Sequence, residues 1–177
     1  MNNMDIRQFV LTNRNQVALA YGCFDILHFG HINFFREIKK RTTLPLCIGV
    51  LPDFVVSNLK GQGRPLVNEI QRVEIVNALK YVDYAFLLQK SDQIDSLKKK
   101  YSLTNEDIPL WSTAISWLEI IRPKEFYYSS DFHMSTNISN YFSDNEIHSI
   151  KIPYTKEIST SDIVRRIVAL GISESKY

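Results

Sequence analysis

The sequence predicts an α/β fold: a doubly wound parallel sheet of about five strands flanked by helices, in a single domain over residues 1–177. Three observations point there. Short apolar runs of strand length alternate with stretches whose apolar residues recur at helical spacing, the order a parallel sheet requires. No internal repeat, low-complexity tract or linker interrupts that alternation. The chain is 45% apolar and 23% charged, enough for one sizeable core.

The elements follow in order. Val17 to Tyr21 is a first buried strand. Ile32, Phe34, Phe35 and Ile38 then recur at helical spacing, and Lys39, Lys40 and Arg41 close that helix. Leu46 to Leu51 is a second strand, and Leu59 to Pro65 a loop punctuated by Gly61, Gly63 and the proline. Asn68 caps a helix carrying Ile70, Val73, Val76 and Leu79 on one face, before a third strand from Tyr84 to Leu88. Ser91 can cap the next helix, where Ile94, Leu97 and Tyr101 share a face. Trp111, Ala114, Ile115, Leu118 and Ile121 form another stripe, stopped at Arg122-Pro123. At that spacing the two tryptophans read as core in preference to a platform for a base. Phe126 to Tyr128 and Ile147 to Ile152 are the last strands. A final helix from Thr160 turns Ile163, Val164, Ile167 and Val168 inward and ends at Gly171. Such a sheet places its ligand at the carboxyl ends of its strands.

Charge and cysteines narrow the function. A net charge of +2 gives no argument for nucleic acid as a partner. Lys98, Lys99 and Lys100 read as the end of a surface helix. Cys23 and Cys47 lack zinc-ligand spacing, and Cys47 reads as a buried free thiol. No window reaches the run of about 18 apolar residues of a membrane span, and the first residues lack the order of a secretory signal. The expectation is a cytoplasmic protein with no membrane partner. His133 and His148 carry no motif and read as structural or exposed.

The stretch from Tyr21 to His31 carries the chemistry, because it joins the end of the first strand to the start of a helix. A helix start offers unpaired N–H groups and partial positive charge, which favour phosphate. Gly22 and Gly30 let backbone approach an anion, and His28 and His31 put two imidazoles at the same place. Imidazoles there can donate to phosphate oxygens as charge builds during transfer; two histidines three apart can also hold a metal. Phosphate contact ranks first.

Gly22-Cys23-Phe24-Asp25-Ile26-Leu27-His28-Phe29-Gly30-His31 resembles the signature of the HxGH nucleotidyltransferases, the cytidylyltransferase-like superfamily with a Rossmann-like fold. With Cys23 it is most similar to the adenylyltransferase domain of bacterial ADP-heptose synthases. Lys60 to Pro65, then Gln71-Arg72 and Tyr81-Val82-Asp83, follow the pattern of those enzymes in order and spacing, and Ile158-Ser159-Thr160-Ser161 resembles their Ser-Thr motif. The resemblance implies roles. His28 and His31 stabilise the transition state, Lys60 and Arg64 close over a triphosphate, and Arg72 holds phosphate. Ser159, Thr160 and Ser161 grip the triphosphate at a second helix start. Asp25 either orders the first loop or supports a metal site. Asp131 and the backbone around Ile158 face the base.

The resemblance further implies transfer of AMP from ATP, with Mg²⁺ bound to the nucleotide, to a sugar 1-phosphate such as heptose 1-phosphate. Carbohydrate metabolism and a homodimer are implied with it. Other readings stay open: a cytidylyltransferase using CTP and glycerol 3-phosphate or another alcohol phosphate, and a non-catalytic nucleotide-binding module. The chain departs from the pattern at Tyr128 to Phe132, where the heptose enzymes carry Lys-Gly-Gly-Asp-Tyr, and at Tyr154 to Glu157, where cytidylyltransferases carry Arg-Thr-x-Gly. The segment from Ser102 to Ile121 is longer than in either group.

Overall fold

The computed structural model describes residues 5–89, 94–101, 108–156 and 158–171. Five strands form one all-parallel sheet: β1 (Ala18–Gly22), β2 (Leu46–Val50), β3 (Tyr84–Leu87), β4 (Glu125–Ser129) and β5 (His148–Ile152). Their order is β3-β2-β1-β4-β5, with Ala20 of β1 aligned to Ile48 of β2 and Tyr127 of β4. Alternate residues point to opposite faces, and both faces are covered. Leu19, Cys47 and Phe126 join one buried cluster, and Ala20, Ile48 and Tyr127 the other. Two covered faces explain why these strands read as continuous apolar runs.

Eight helices are described: α1 (Ile6–Thr12), α2 (Phe29–Lys39), α3 (Asp53–Lys60), α4 (Glu69–Asn77), α5 (Ile94–Tyr101), α6 (Ile108–Ile121), α7 (Thr136–Asp144) and α8 (Thr160–Ala169). After β1 the chain passes through α2 to β2 on one side, and after β4 through α7 to β5 on the other. The neighbouring carboxyl ends of β1 and β4 therefore open a crevice, the place where such sheets bind ligands. No described helix is long and apolar enough to cross a membrane.

Five of these helices correspond to the predicted ones, α1 and α3 are additional, and α7 fills the interval between the fourth and fifth strands, where the alternation calls for a helix. In α7, Ser135 caps the first turn, and Ile138, Tyr141 and Phe142 are buried. Its other residues are mostly Thr, Asn and Ser, poor helix formers, so burial holds this helix in place of propensity. α3 carries the adjacent valines Val55 and Val56, both buried, and runs to Lys60, so the expected loop begins at Gly61. In α4 the stripe is only partly internal: Ile70 is 62% exposed while Arg72 is fully buried.

The inward face expected of α8 holds only in its first half, where Ile163 and Val164 are half-buried. Ile167 is 47% and Val168 74% exposed, and no residue of this helix is fully buried. α8 is tied down at its first turn, where the Thr160 hydroxyl donates to the backbone carbonyl of Asp25. Periodicity announces an apolar face without saying that the same chain covers it. Ser91 lies outside the described residues. Lys100 pairs with Glu119 at 2.7 Å, as a surface charge does. His133 and His148 are exposed.

Candidate active site

A cavity of about 310 Å³ lies at the carboxyl ends of β1 and β4. Gly22, Cys23, Phe24, His28, Gly30, His31, Lys60, Asp131, Ser159, Thr160 and Ser161 line it. The sequence motifs thus meet in one place, although more than 100 residues separate the first from the last. Asp25, Arg64, Arg72 and Ile158 stand behind the wall.

His28 occupies the N-cap of α2 in extended backbone, and its Nδ1 accepts from the Gly30 N–H at 3.1 Å. His31, one turn in, returns the arrangement: its Nδ1 accepts from the His28 N–H at 3.3 Å. A neutral imidazole that accepts at Nδ1 carries its proton at Nε2. Both rings are thereby set as Nε2–H donors, stacked at 3.9 Å between centroids. Burial, aided by the neighbouring His28 and the Lys60 charge, pulls the His31 pKa down to about 3, and burial lowers that of His28. Both are neutral donors at pH 7. A Cβ on Gly30 would sit 2.9 Å from Cε1 of His28, and one on Gly22 2.5 Å from the Phe24 ring. These glycines thus make room for side chains of the motif itself.

Asp25 is 1% exposed, and its carboxylate accepts from Leu66 N–H at 3.0 Å, Val67 N–H at 2.9 Å and the Arg64 guanidinium at 2.7 Å. Of the two tasks open to Asp25, the geometry displays the ordering one, applied to the loop after α3. That loop is pinned at its far end, while nothing lies within 4 Å of the Cβ positions of Gly61 and Gly63. Arg64 pairs with Asp25 through Nη2, its Nε buried without a partner, and does not line the cavity.

Arg72, expected to hold phosphate, is placed elsewhere. It is fully buried, with Nε donating to Val67 O, Nη1 to Cys23 O, and Nη2 to Leu51 O and the Asp53 carboxylate. The guanidinium fork joins the ends of β1 and β2 to the starts of α3 and α4, with no face turned to the cavity. Lys60, exposed at the end of α3, is the only lysine or arginine lining the cavity among the described residues.

Ser159 caps α8, accepting from the Asp162 N–H at 3.1 Å and donating to its carboxylate at 2.7 Å. Thr160 is bonded to Asp25, and Ser161 is exposed at the cavity. Ile158 packs beside Gly30, its methyl 3.5 Å from where a Cβ would stand, so the N-termini of α2 and α8 face the same space. The partial positive charge of two helix starts converging there suits a polyanion. Burial pushes the Cys23 thiol up, which keeps it protonated and a poor nucleophile. No cluster of three or more histidine, cysteine or acidic residues suited to a metal occurs among the described residues.

Sequence reasoning missed the opposite wall. Tyr21, Leu51, Leu59, Leu110, Trp111, Phe126 and Phe132 line it. Trp111 is 3% exposed, packed at 6.1 Å from the Phe126 ring, and is core and cavity wall at once. A helical stripe announces the core role; its end at the strand termini was the available signal for the other.

Comparison with known proteins identifies the family and the fold. The family model described as cytidylyltransferase-like matches residues 19–166. The bifunctional protein HldE of Campylobacter jejuni is 29% identical over 136 residues, 73% of this chain and 29% of that protein. The HldE of Desulfatibacillum aliphaticivorans is 39% identical over 82 residues, 46% of this chain and 16% of that protein. The chain thus spans less than a third of the length of these relatives. Among solved structures, a lipopolysaccharide core biosynthesis protein from Thermoplasma volcanium superposes with a TM-score of 0.58 at 22% identity, over 81% of this chain and 98% of that one. A pantothenate synthetase from Thermus thermophilus gives 0.57 at 14% identity, over 87% and 65%. At those identities the two share the fold.

Proposed function

The chain belongs to the cytidylyltransferase-like family of nucleotidyltransferases, and from that premise we propose that it transfers a nucleoside monophosphate, AMP in preference to CMP, from a nucleoside triphosphate to a phosphorylated small molecule. The observation that carries this reading is the histidine pair. Each imidazole has its Nδ1 held by backbone and its Nε2–H left to donate, at a helix start that faces a second helix start. An acceptor phosphate oxygen, already ionised at neutral pH, attacks the α-phosphorus; the bond to the bridging oxygen breaks, and pyrophosphate leaves with the electron pair. No protein nucleophile is required, so catalysis is positioning and charge stabilisation. His28 and His31 donate to the oxygens on which charge develops, Lys60 supplies positive charge at the mouth of the cavity, and the first turn of α8 holds the triphosphate. A Mg²⁺ carried in with the triphosphate would supply charge neutralisation there, while His28, His31 and Lys60 keep the roles given. A sugar 1-phosphate such as heptose 1-phosphate is the acceptor that the resemblance implies; the transfer itself requires only an anionic oxygen.

The test is pyrophosphate release over four nucleoside triphosphates and a panel of phosphorylated acceptors. ATP-dependent release is expected. Release with CTP alone places the chain on the cytidylyltransferase branch. Tight nucleotide binding with no release under any combination reduces the chain to a binding module.

A further inference from the structure

The cavity has two unlike halves. One is built from the helix starts and hydroxyls that suit a triphosphate. The other lies between α3 and α6, which pack on each other, over the ends of β1 and β2. Tyr21, Leu51, Leu59, Leu110 and Trp111 line the cavity from this side, with Lys60 at the end of α3, whereas the polar Tyr128, Ser129 and Asp131 line it from the end of β4. The Tyr21 hydroxyl donates to Ala114 O of α6 at 3.3 Å, so the ring rather than the hydroxyl faces the space. Leu59 is 49% exposed, an apolar side chain standing open at a cavity that otherwise buries such groups. Arg64 and Arg72 do not line the cavity, and their guanidiniums are paired with Asp25 and Asp53.

Burying a hydroxyl without a partner costs about 1–3 kcal/mol, and a sugar or polyol brings several. The aliphatic and aromatic lining offers them few partners, whereas it gains free energy with each methylene it covers. We propose that this half is the acceptor subsite and takes an acceptor with one anionic group, held at Lys60, and an apolar body, covered by Leu59, Leu110, Trp111 and the Tyr21 ring. The inference rests on the nucleotidyltransferase reading and replaces a polyhydroxylated acceptor by an apolar one. The acceptor's phosphate oxygen then lies on the Lys60 side, next to His31, whose charge state Lys60 influences.

The experiment is a calorimetric titration with ethyl, butyl and hexyl phosphate, and with glucose 1-phosphate and glycerol 3-phosphate. The protein is first saturated with a non-hydrolysable ATP or CTP analogue, so that the base subsite is filled. Affinity for the alkyl phosphates should rise roughly fourfold per methylene until the subsite is full, the factor that about 0.8 kcal/mol per methylene gives. Hexyl phosphate should bind at least tenfold tighter than either polyol phosphate. Leu59→Asp, at an exposed position that folding tolerates, should flatten the chain-length slope. Lys60→Gln should weaken all alkyl phosphates alike and leave the slope unchanged. Equal or tighter binding of the polyol phosphates overturns the proposal. So does alkyl binding that disappears once nucleotide is bound, since the apolar wall then serves the base. Pyrophosphate release is read in parallel: a steep slope without release defeats the transfer reading while the apolar anion subsite stands.

Discussion

At the scale of single residues, each histidine of the site has two tasks that substitution can separate. The His28 Nδ1 caps α2 while the ring lines the cavity, with its Nε2–H not taken up by the cap. His28→Asn keeps a good N-cap acceptor and loses the donor, so turnover should fall by roughly two orders of magnitude with stability nearly unchanged. His28→Ala loses both, and should also cost about 1 kcal/mol of stability in urea unfolding. Wild-type turnover in either folded variant removes the imidazole from the mechanism. His31 makes a pH prediction. Its folded-state pKa, about 3, lies below the ordinary 6.5 of the unfolded chain. As pH falls below about 6.5 the unfolded state takes up a proton that the folded state refuses. Stability is therefore full above that pH and is lost on the way down towards pH 3, by up to about 1.4 kcal/mol per unit from this one group. Urea midpoints at pH 7, 6 and 5 should fall more steeply for the wild type than for His31→Asn.

At the scale of elements, two buried ionic groups hold the arms of the site. Arg72→Ala leaves the Val67, Cys23 and Leu51 carbonyls and Asp53 without their donor, and should destabilise by about 3–5 kcal/mol. Arg72→Lys cannot reproduce the fork and should recover only part of this. If Arg72 instead held phosphate, Arg72→Lys would raise the nucleotide KM and leave unfolding untouched. Asp25 divides the loop after α3 into a pinned end and a free end. Hydrogen exchange at Leu66 and Val67 should already be slow without ligand, whereas that of Gly61 to Gly63 should be fast and slow down on adding nucleotide. Fast exchange at Val67 in the free protein counts against the anchor. Arg64 and Arg72 read as phosphate ligands in the sequence because a cation on a glycine loop and one on a helix look alike whether they face a ligand or a carboxylate. Their partners, Asp25 and Asp53, lie 39 and 19 positions away, and only folding brings them together.

At the scale of the whole molecule, the five strands and the place of the crevice were legible, because runs such as Leu46 to Val50 admit few other readings and the strand order follows from the fold class. The histidine motif was legible as a helix start. The apolar wall was not, since Trp111 and Leu110 belong to a stripe whose spacing is that of any buried helix. Nor was the exposure of α8, which depends on what lies opposite it. The bond from the Thr160 hydroxyl to the Asp25 carbonyl spans 135 positions of chain. A contact of such separation forms late, after the sheet between its ends has closed. The half of the cavity contributed by α8 is therefore expected to form after the folding transition state. Nucleotide should leave the refolding rate in stopped-flow experiments unchanged and slow unfolding in proportion to its saturation. A nucleotide bound in this way would act as a brake on departure from the native state, with no part in reaching it.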